Sequence, residues 1–226
     1  MKEVEIIYAD KAIVICKKPA GAICEATGGE ASIVKLLTEK LAEPDGYVGL
    51  VHRLDRVTEG LMVFSRDPGL TGKLSEALLS KETEKEYLAV VHGKPEADEG
   101  EMRDLLFRDS AKNKSYVVKR SRKGVKEAVL TYKLLGTAES KYGEVSLVAI
   151  KLGTGRTHQI RVQFSFRGMP LVGDGKYGAA DNAPDVALLS HRLTLTHPTT
   201  KKRMCFEIEP EDKLPFNIFE HKKENG

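Results

Sequence analysis

One aspartate lies between two arginines in the segment HRLDRVTEG, residues 52–60. Asp55 is flanked by Arg53 and Arg56, and the segment follows the apolar run YVGLV. A carboxylate acts as a nucleophile or general base only when it is ionised and positioned, and nearby guanidinium groups favour the ionised form. The same spacing fits a turn with surface ion pairs, which contribute about 0–1 kcal/mol. The segment alone leaves both interpretations open.

A second basic segment, GTGRTHQIR at residues 153–161, carries Arg156, His158 and Arg161. Its glycines permit a tight turn, and a turn that leads into a helix can present N–H and guanidinium groups to phosphate. The segment lacks the Gly-Lys-Ser/Thr ending of a P-loop. A helix-entry or hairpin turn with surface arginines remains the alternative.

Tyr87, in KEYLAVV, lies in a strand-like segment. A tyrosine there can pack in the core, or it can stack on a base and offer its hydroxyl for proton transfer.

Residues 110–126 form a basic block with seven lysines and arginines and no acid, whereas the whole chain carries a net charge of +3, which leaves −4 for the rest. Such a block favours contact with a polyanion, and a solvated lysine-rich hairpin is the alternative. The candidates for polyanion contact within the block are Lys119, Arg120, Arg122 and Lys123.

The composition of the 226 residues is that of a globular protein with one large domain or a main domain and a small appendage. Three cysteines without C-x-x-C spacing predict a reducing, cytoplasmic setting, and the N-terminus does not resemble a signal peptide. No 18-residue apolar run predicts a membrane span. The six histidines show no metal-ligand spacing, so we expect no metal site.

Periodicity predicts a helix over 32–41 with Ser32 as N-cap, and a second over 68–81 with Pro68 in its first turn. About nine strands, many joined by short links, favour an α+β fold with a mixed, mostly antiparallel sheet over a doubly wound fold. The segment THQIRVQFSFRG, 157–168, fits a strand and a helix equally well.

Four segments in order, VHRLDRVTEGLMVFSRD, KEYLAVVHGKP, LGTGRTHQIRV and GMPLVGDGKYG, resemble the RluA-type RNA pseudouridine synthases. The resemblance runs from about residue 4 to 208 and includes the opening IIYADKAIVICKKPAG. It implies the pseudouridine synthase fold, with flanking helices on the central sheet. It also implies conversion of uridine in RNA to pseudouridine without a cofactor, and a helix in the ambiguous segment.

The resemblance assigns Asp55 as the catalytic aspartate and Tyr87 as the tyrosine that stacks on uracil. It assigns Arg161 as the partner of that aspartate and Arg53 as the side chain that enters the RNA helix. His52, Arg56, Arg156 and His158 lie inside the same motifs and are further candidates for RNA contact.

Two residues depart from the family pattern: Glu59 replaces a usual Ser, and Gln163 replaces a frequent His. An N-terminal S4-like domain is not expected, because the first catalytic strand begins near residue 4. We expect a single catalytic domain over 1–226 with a C-terminal tail from about residue 210, acting as a monomer on ribosomal or transfer RNA. The alternative is a non-catalytic RNA-binding or ribosome-assembly module with the same fold.

Overall fold

The computed structural model describes residues 4–25, 32–41, 46–80 and 82–219. The chain divides into two compact units, Met1–Glu86 with Leu189–Ile208, and Tyr87–Leu188 with Glu209–Gly226. The described part of the expected C-terminal tail belongs to the second unit, where Phe216 is buried. The expectation of one catalytic domain over the whole chain stays a prediction.

Three α-helices and eleven strands occur in the described residues. The helices are α1 (Ile33–Lys40), α2 (Pro68–Ala77) and α3 (Gln159–Phe166). The strands are β1 (Glu5–Ala9), β2 (Ile13–Lys18), β3 (Gly49–Leu50), β4 (Glu59–Ser65), β5 (Glu84–His92), β6 (Glu99–Asp109), β7 (Lys114–Val118), β8 (Val125–Ser140), β9 (Gly143–Leu152), β10 (Leu188–Thr196) and β11 (Arg203–Glu207). Short 3₁₀ helices cover Gly175–Tyr177 and Phe216–Ile218.

In the first unit the strand order is β1–β2–β4–β10, with β3 beside β4 and β11 beside β10. The β4–β10 pair is parallel, and the other described pairs of this unit are antiparallel. Ile13 and Ile15 of β2 and Leu61 and Val63 of β4 alternate into a core that Leu74 of α2 covers. This core supports the start of β4, directly after the Asp55 segment.

In the second unit the strand order is β5–β9–β8–β6–β7. Helix α3 packs on this sheet through Val162, which shares a small core with Leu106 of β6, Ala128 of β8 and Tyr177. The α+β fold class and the mostly antiparallel sheet predicted from sequence are confirmed.

The three predicted helices are confirmed, including α3 in the ambiguous segment and the Ser32 cap, whose Oγ accepts a hydrogen bond from Lys35 N at 3.2 Å. The sequence does not predict strand β6, because EGEMRDLLFRD lacks a regular apolar alternation. In the structure only Met102 and Leu106 of this strand are buried. Its pairing with β7 and β8 on either side stabilises it as a strand. Within the described segments, no helix is long and apolar enough to cross a membrane.

Candidate active site

The segment that carries Asp55 is held by its backbone at several points within the first unit. Thr58 N donates to Asp55 O at 3.0 Å, which closes a turn. Leu54 O accepts from the Cys24 thiol at 3.3 Å, and Arg56 O accepts from Gly21 N at 2.8 Å. The Asp55 side chain itself is half-buried. The segment is therefore a fixed turn that presents a carboxylate.

A buried lysine supports the same turn. Lys18, the last residue of β2, has no exposed surface, and its Nζ donates to the carbonyl oxygens of Pro19, Ala22 and Arg56 at 2.8–3.1 Å. Burial lowers the pKa of Lys18 to about 8, and the charge of Asp55 is among those that oppose this shift. The Lys18 ammonium thus joins the two chain segments and interacts electrostatically with the Asp55 carboxylate.

The two cysteines of this region are unsuited to nucleophilic chemistry. Burial raises the pKa of Cys16 to about 12 and also raises the pKa of Cys24. A thiol that stays protonated is a poor nucleophile. Of the chemistry-bearing groups around this turn, the carboxylate is the stronger candidate.

His52, predicted to contact RNA, makes its described hydrogen bond inside the protein. Its Nε2 accepts from Val63 N of β4 at 3.1 Å. Burial lowers the pKa of His52 to about 3, and the nearby Lys85 adds to this shift. A neutral ring suits this acceptor role and joins the start of the Asp55 segment to β4. Direct RNA contact by His52 stays a prediction.

The two arginines beside Asp55 are both exposed. Arg56 Nε donates to Gly21 O at 3.0 Å, which matches the bond from Gly21 N to Arg56 O. Arg56 is therefore part of the support for the turn, although both arginines present their side chains to solvent.

Glu59, which stands where the family usually has a serine, pairs with a lysine of the neighbouring strand. Glu59, the first residue of β4, is buried and forms a 3.0 Å ion pair with Lys17 of β2. The carboxylate that replaces the usual serine is therefore partly neutralised within the first unit.

Arg161 belongs to the second unit, where α3 carries it in a buried position. Its Nε donates to Asp174 Oδ2 at 2.7 Å and its Nη2 donates to Asp174 Oδ1 at 2.8 Å. Its guanidinium carbon lies 5.0 Å from the centroid of the Tyr177 ring. The expected pair of Arg161 with Asp55 joins residues of different units and stays a prediction.

Tyr177 fixes the entry to α3. Its hydroxyl oxygen accepts a hydrogen bond from Ser115 N of β7 at 2.8 Å. The same oxygen lies 2.8 Å from His158 Nδ1. His158 is buried and adopts a left-handed conformation, with φ +54°, at the N-cap of α3. These contacts describe a positioning role for His158, and its predicted RNA contact remains untested.

The turn 153–158 is a helix-entry turn bonded to β8. Gly153 N and Thr154 N donate to Val129 O, and Arg156 N donates to Gln159 Oε1. Arg156 Nε donates to Glu127 O at 2.8 Å. These three N–H groups bond within the protein, and contact of the turn with phosphate stays a prediction. Any contact of Arg156 with RNA would use the rest of its guanidinium.

Gln163 is fully buried on α3, and its Nε2 donates to Asp104 Oδ2 at 2.7 Å and to Met102 O at 3.2 Å. Its Oε1 is a buried acceptor without a hydrogen bond among the described residues. Gln163 thus links α3 to β6.

Tyr87 is 7% exposed on β5 and lies in the second unit with Arg161. The predicted polyanion contacts are exposed residues that follow β7 or precede β8: Lys119, Arg120, Arg122 and Lys123. The guanidinium carbon of Arg122 lies 4.8 Å from the centroid of the Phe107 ring. The structure thus places these cations on the surface of the second unit.

The sequence assigns no role to three residues that make these contacts, one in the first unit and two in the second. Lys18 ends a strand, where a lysine normally predicts an exposed head group. Asp174 and Tyr177 lie in GDGKYG, which was part of the resemblance but showed no local pattern. Their contacts depend on residues distant in sequence.

The chain matches the family model of the RNA pseudouridylate synthases over residues 12–166. An uncharacterized RNA pseudouridine synthase of Aquifex aeolicus is 34% identical, over 91% of this chain and 69% of its own length. A ribosomal large subunit pseudouridine synthase C of Rickettsia bellii is 35% identical, over 93% of this chain and 68% of its own length.

The structure of human RNA pseudouridylate synthase domain containing 1 superimposes with a TM-score of 0.77, over 95% of this chain and 86% of that one. At 22% identity this likeness concerns the fold. The match of the family model to more than half of the chain, and the identity of the bacterial relatives, agree with the order of the four motifs. The chain belongs to the RluA-type RNA pseudouridine synthases, which are isomerases.

Proposed function

We propose that this enzyme isomerises specific uridines of ribosomal or transfer RNA, with Asp55 as the catalytic carboxylate. The observation that carries the proposal is the construction of the Asp55 turn. Its backbone is bonded to residues 18–24, and the His52 ring at its start accepts a hydrogen bond from β4. Its half-buried carboxylate interacts electrostatically with the buried ammonium of Lys18. A carboxylate that is held in a fixed turn and attracted by a buried cation is positioned to act as a nucleophile or general base.

In the proposed reaction the N1–C1′ bond of uridine breaks and a C5–C1′ bond forms. One proton leaves C5 and one joins N1, so the product is an isomer of the substrate. Asp55 attacks the nucleoside or removes a sugar proton, and Tyr87 stacks on uracil and assists removal of the C5 proton. Arg161 orients the carboxylate. This balance requires no cofactor.

A base within a stem must leave the stack to reach these groups, which costs a few kcal/mol. Arg53 is exposed and adjacent to Asp55, so it suits insertion where the base has left. The surface cations of the basic block suit the phosphate backbone.

The relatives favour ribosomal RNA as the substrate class. Relatives from Borreliella burgdorferi and Rickettsia bellii are named ribosomal large subunit pseudouridine synthases D and C, respectively. We therefore place ribosomal RNA ahead of transfer RNA as the target.

The function is tested by pseudouridine mapping of total RNA from a strain that lacks the gene. The strain is complemented with the wild type, with Asp55→Asn, or with Asp67→Asn. Asp67 is the N-cap of α2 in the same unit, and asparagine caps a helix as well as aspartate does. We expect specific pseudouridines to return with the wild type and with Asp67→Asn, but not with Asp55→Asn.

Return of the modification with Asp55→Asn would contradict the proposed chemistry. Failure of the wild type to restore any pseudouridine would contradict the proposed function in RNA. If Asp55→Asn instead rescued a growth or ribosome-assembly defect without modification, the alternative of an RNA-binding or assembly module would be favoured.

A further inference from the structure

The buried ion pair between Arg161 and Asp174 has a geometry that restricts rotation of the guanidinium. Both side chains are at most 5% exposed, and two hydrogen bonds of 2.7 and 2.8 Å join them in parallel. A guanidinium is planar, so fixing its Nε–Nη2 edge also fixes the direction of its remaining N–H groups. The Tyr177 ring, 5.0 Å away, adds a second contact to the same group.

The segment that carries Asp174 is itself held firmly within the second unit. Val172 N donates to Val90 O of β5, and Ala187 N donates to Val172 O, both at 2.9 Å. Gly173 has φ +81°, and a Cβ at this position would lie 2.2 Å from Asp185 O, so only glycine fits. The carboxylate of Asp174 is therefore placed by the backbone of β5 and its neighbours.

A purely structural link between α3 and this segment would not require buried charges. Removing two ions from water is costly, and apolar residues of similar volume often replace buried ion pairs without loss of stability. Bidentate geometry instead supplies orientation. The pair therefore suits a function in which the direction of the Arg161 guanidinium matters.

We propose that Asp174 is the positioning residue for Arg161, and that it holds the guanidinium in the orientation that the reaction needs. This inference rests on the proposed catalytic role of Arg161. Asp174 acts through Arg161, and its loss lowers turnover while RNA binding persists. The Tyr177 ring, whose centroid lies 5.0 Å from the guanidinium carbon, further limits movement of the Arg161 side chain.

The test compares Asp174→Asn and Asp174→Glu with Asp104→Asn. Asp104 pairs with Arg167 at 2.9 Å at the C-terminal end of α3, so it is a matched acid–arginine pair outside the site. Tritium release from 5-tritiated uridine in RNA gives kcat and KM, and RNA-binding titration gives the concentration of folded protein. The NMR signal of the Arg161 Nε–H group is assigned by its loss in Arg161→Lys. Its chemical shift reports the hydrogen bond that fixes the orientation of the guanidinium.

We expect both Asp174 variants to lower kcat by about 10- to 100-fold, as for a misplaced catalytic group. KM should change by no more than about two-fold, since ground-state binding is retained. The Arg161 Nε–H signal should shift in both variants, whereas Asp104→Asn should leave the signal and kcat as in the wild type. Asp174→Glu keeps the charge and moves the carboxylate by one methylene, so it decides the issue if Asp174→Asn does not fold.

Wild-type kcat, or an unshifted Arg161 signal, in a folded Asp174 variant would overturn the inference. The Arg161→Met variant distinguishes failure of the positioning role of Asp174 from failure of the proposed function. If Arg161→Met is inactive but the Asp174 variants turn over normally, only the positioning role fails. If Arg161→Met itself retains normal turnover, the catalytic role of Arg161 fails, and the inference fails with it.

Discussion

Lys18 is the side chain that best explains how a charged turn is kept rigid in the first unit. Its ammonium satisfies three backbone carbonyls that converge from two segments of the chain. A buried ammonium without hydrogen-bond partners is strongly unfavourable, so these bonds favour one arrangement of the turn over others. Position and charge at Asp55 thus have a common support.

The half-buried His52 makes stability depend on pH. The pKa of the folded form is about 3, whereas an unfolded histidine titrates near 6.5. Between these values the unfolded chain binds more protons, so the free energy of unfolding falls as the pH falls. We expect the wild type to lose about 2 kcal/mol more than His52→Gln between pH 8 and pH 5.

Glutamine is the matched replacement, because its Oε1 can accept the Val63 N–H bond without titrating. Urea unfolding of the two proteins at several pH values measures the difference. Parallel curves for the wild type and His52→Gln would show that His52 does not titrate in this way.

The partly buried pair of Lys17 and Glu59 should couple energetically. Its side chains are 16% and 12% exposed, so water screens the pair less than a surface pair. A double-mutant cycle with Lys17→Met and Glu59→Gln is expected to give a coupling of about 1 kcal/mol. The exposed pair of Lys35 and Glu39, at 3.8 Å, serves as control and should give a smaller value. Equal coupling energies in the two cycles would show that the Lys17–Glu59 pair is no stronger than an exposed pair.

At the scale of elements, helix α3 shows what the sequence could and could not establish. The pattern of 157–168 fits two structures, because Ile160, Val162, Phe164 and Phe166 alternate while Ile160 and Phe164 also share a helical face. Family resemblance decided for the helix, and the structure confirms it. The bond of Asp174 to Arg161 joins residues 13 positions apart through a loop, so no local periodicity could indicate it.

The contacts of the Asp55 turn were likewise not predictable from its local sequence. The spacing of its arginines left a local ion pair with Asp55 as one of two interpretations, and the described bonds of Arg56 go to the backbone of Gly21. Long-range contacts of this kind depend on how β2 and β4 pair, which the sequence of the turn does not contain.

The segment between β7 and β8 should govern the salt dependence of RNA binding. We expect the combined change of Lys119, Arg120, Arg122 and Lys123 to glutamine to lower the slope of log affinity against log salt by about 3, if each cation contacts one phosphate. Turnover at saturating RNA should persist, since these residues lie outside the turn that carries Asp55. Filter binding at several salt concentrations measures the slope.

The control replaces four exposed lysines elsewhere in the chain by glutamine, namely Lys11, Lys35, Lys73 and Lys133. It alters net charge by the same amount. An equal loss of slope in the control would assign the effect to overall charge and contradict a local RNA contact.

At the scale of the whole molecule, four weak motifs in one order identified the family that the sequence comparisons confirm. Each motif alone fits an ordinary turn or strand, whereas their order over nearly the whole chain is specific. Composition indicated a globular protein, the pattern of strands and helices an α+β fold, and the charge distribution a basic block. The contacts of Lys18 in the first unit and of Asp174 in the second are visible only in the structure.

The most direct measurement of the central claim is tritium release by Asp55→Asn. The substrate is RNA from a strain that lacks the gene, grown with 5-tritiated uridine, and Asp67→Asn is the control. We expect Asp55→Asn to release tritium at least about 100-fold more slowly than the wild type, because the reaction loses its catalytic carboxylate. We expect an unchanged rate for Asp67→Asn. Tritium release by folded Asp55→Asn at the wild-type rate would contradict catalysis by this carboxylate.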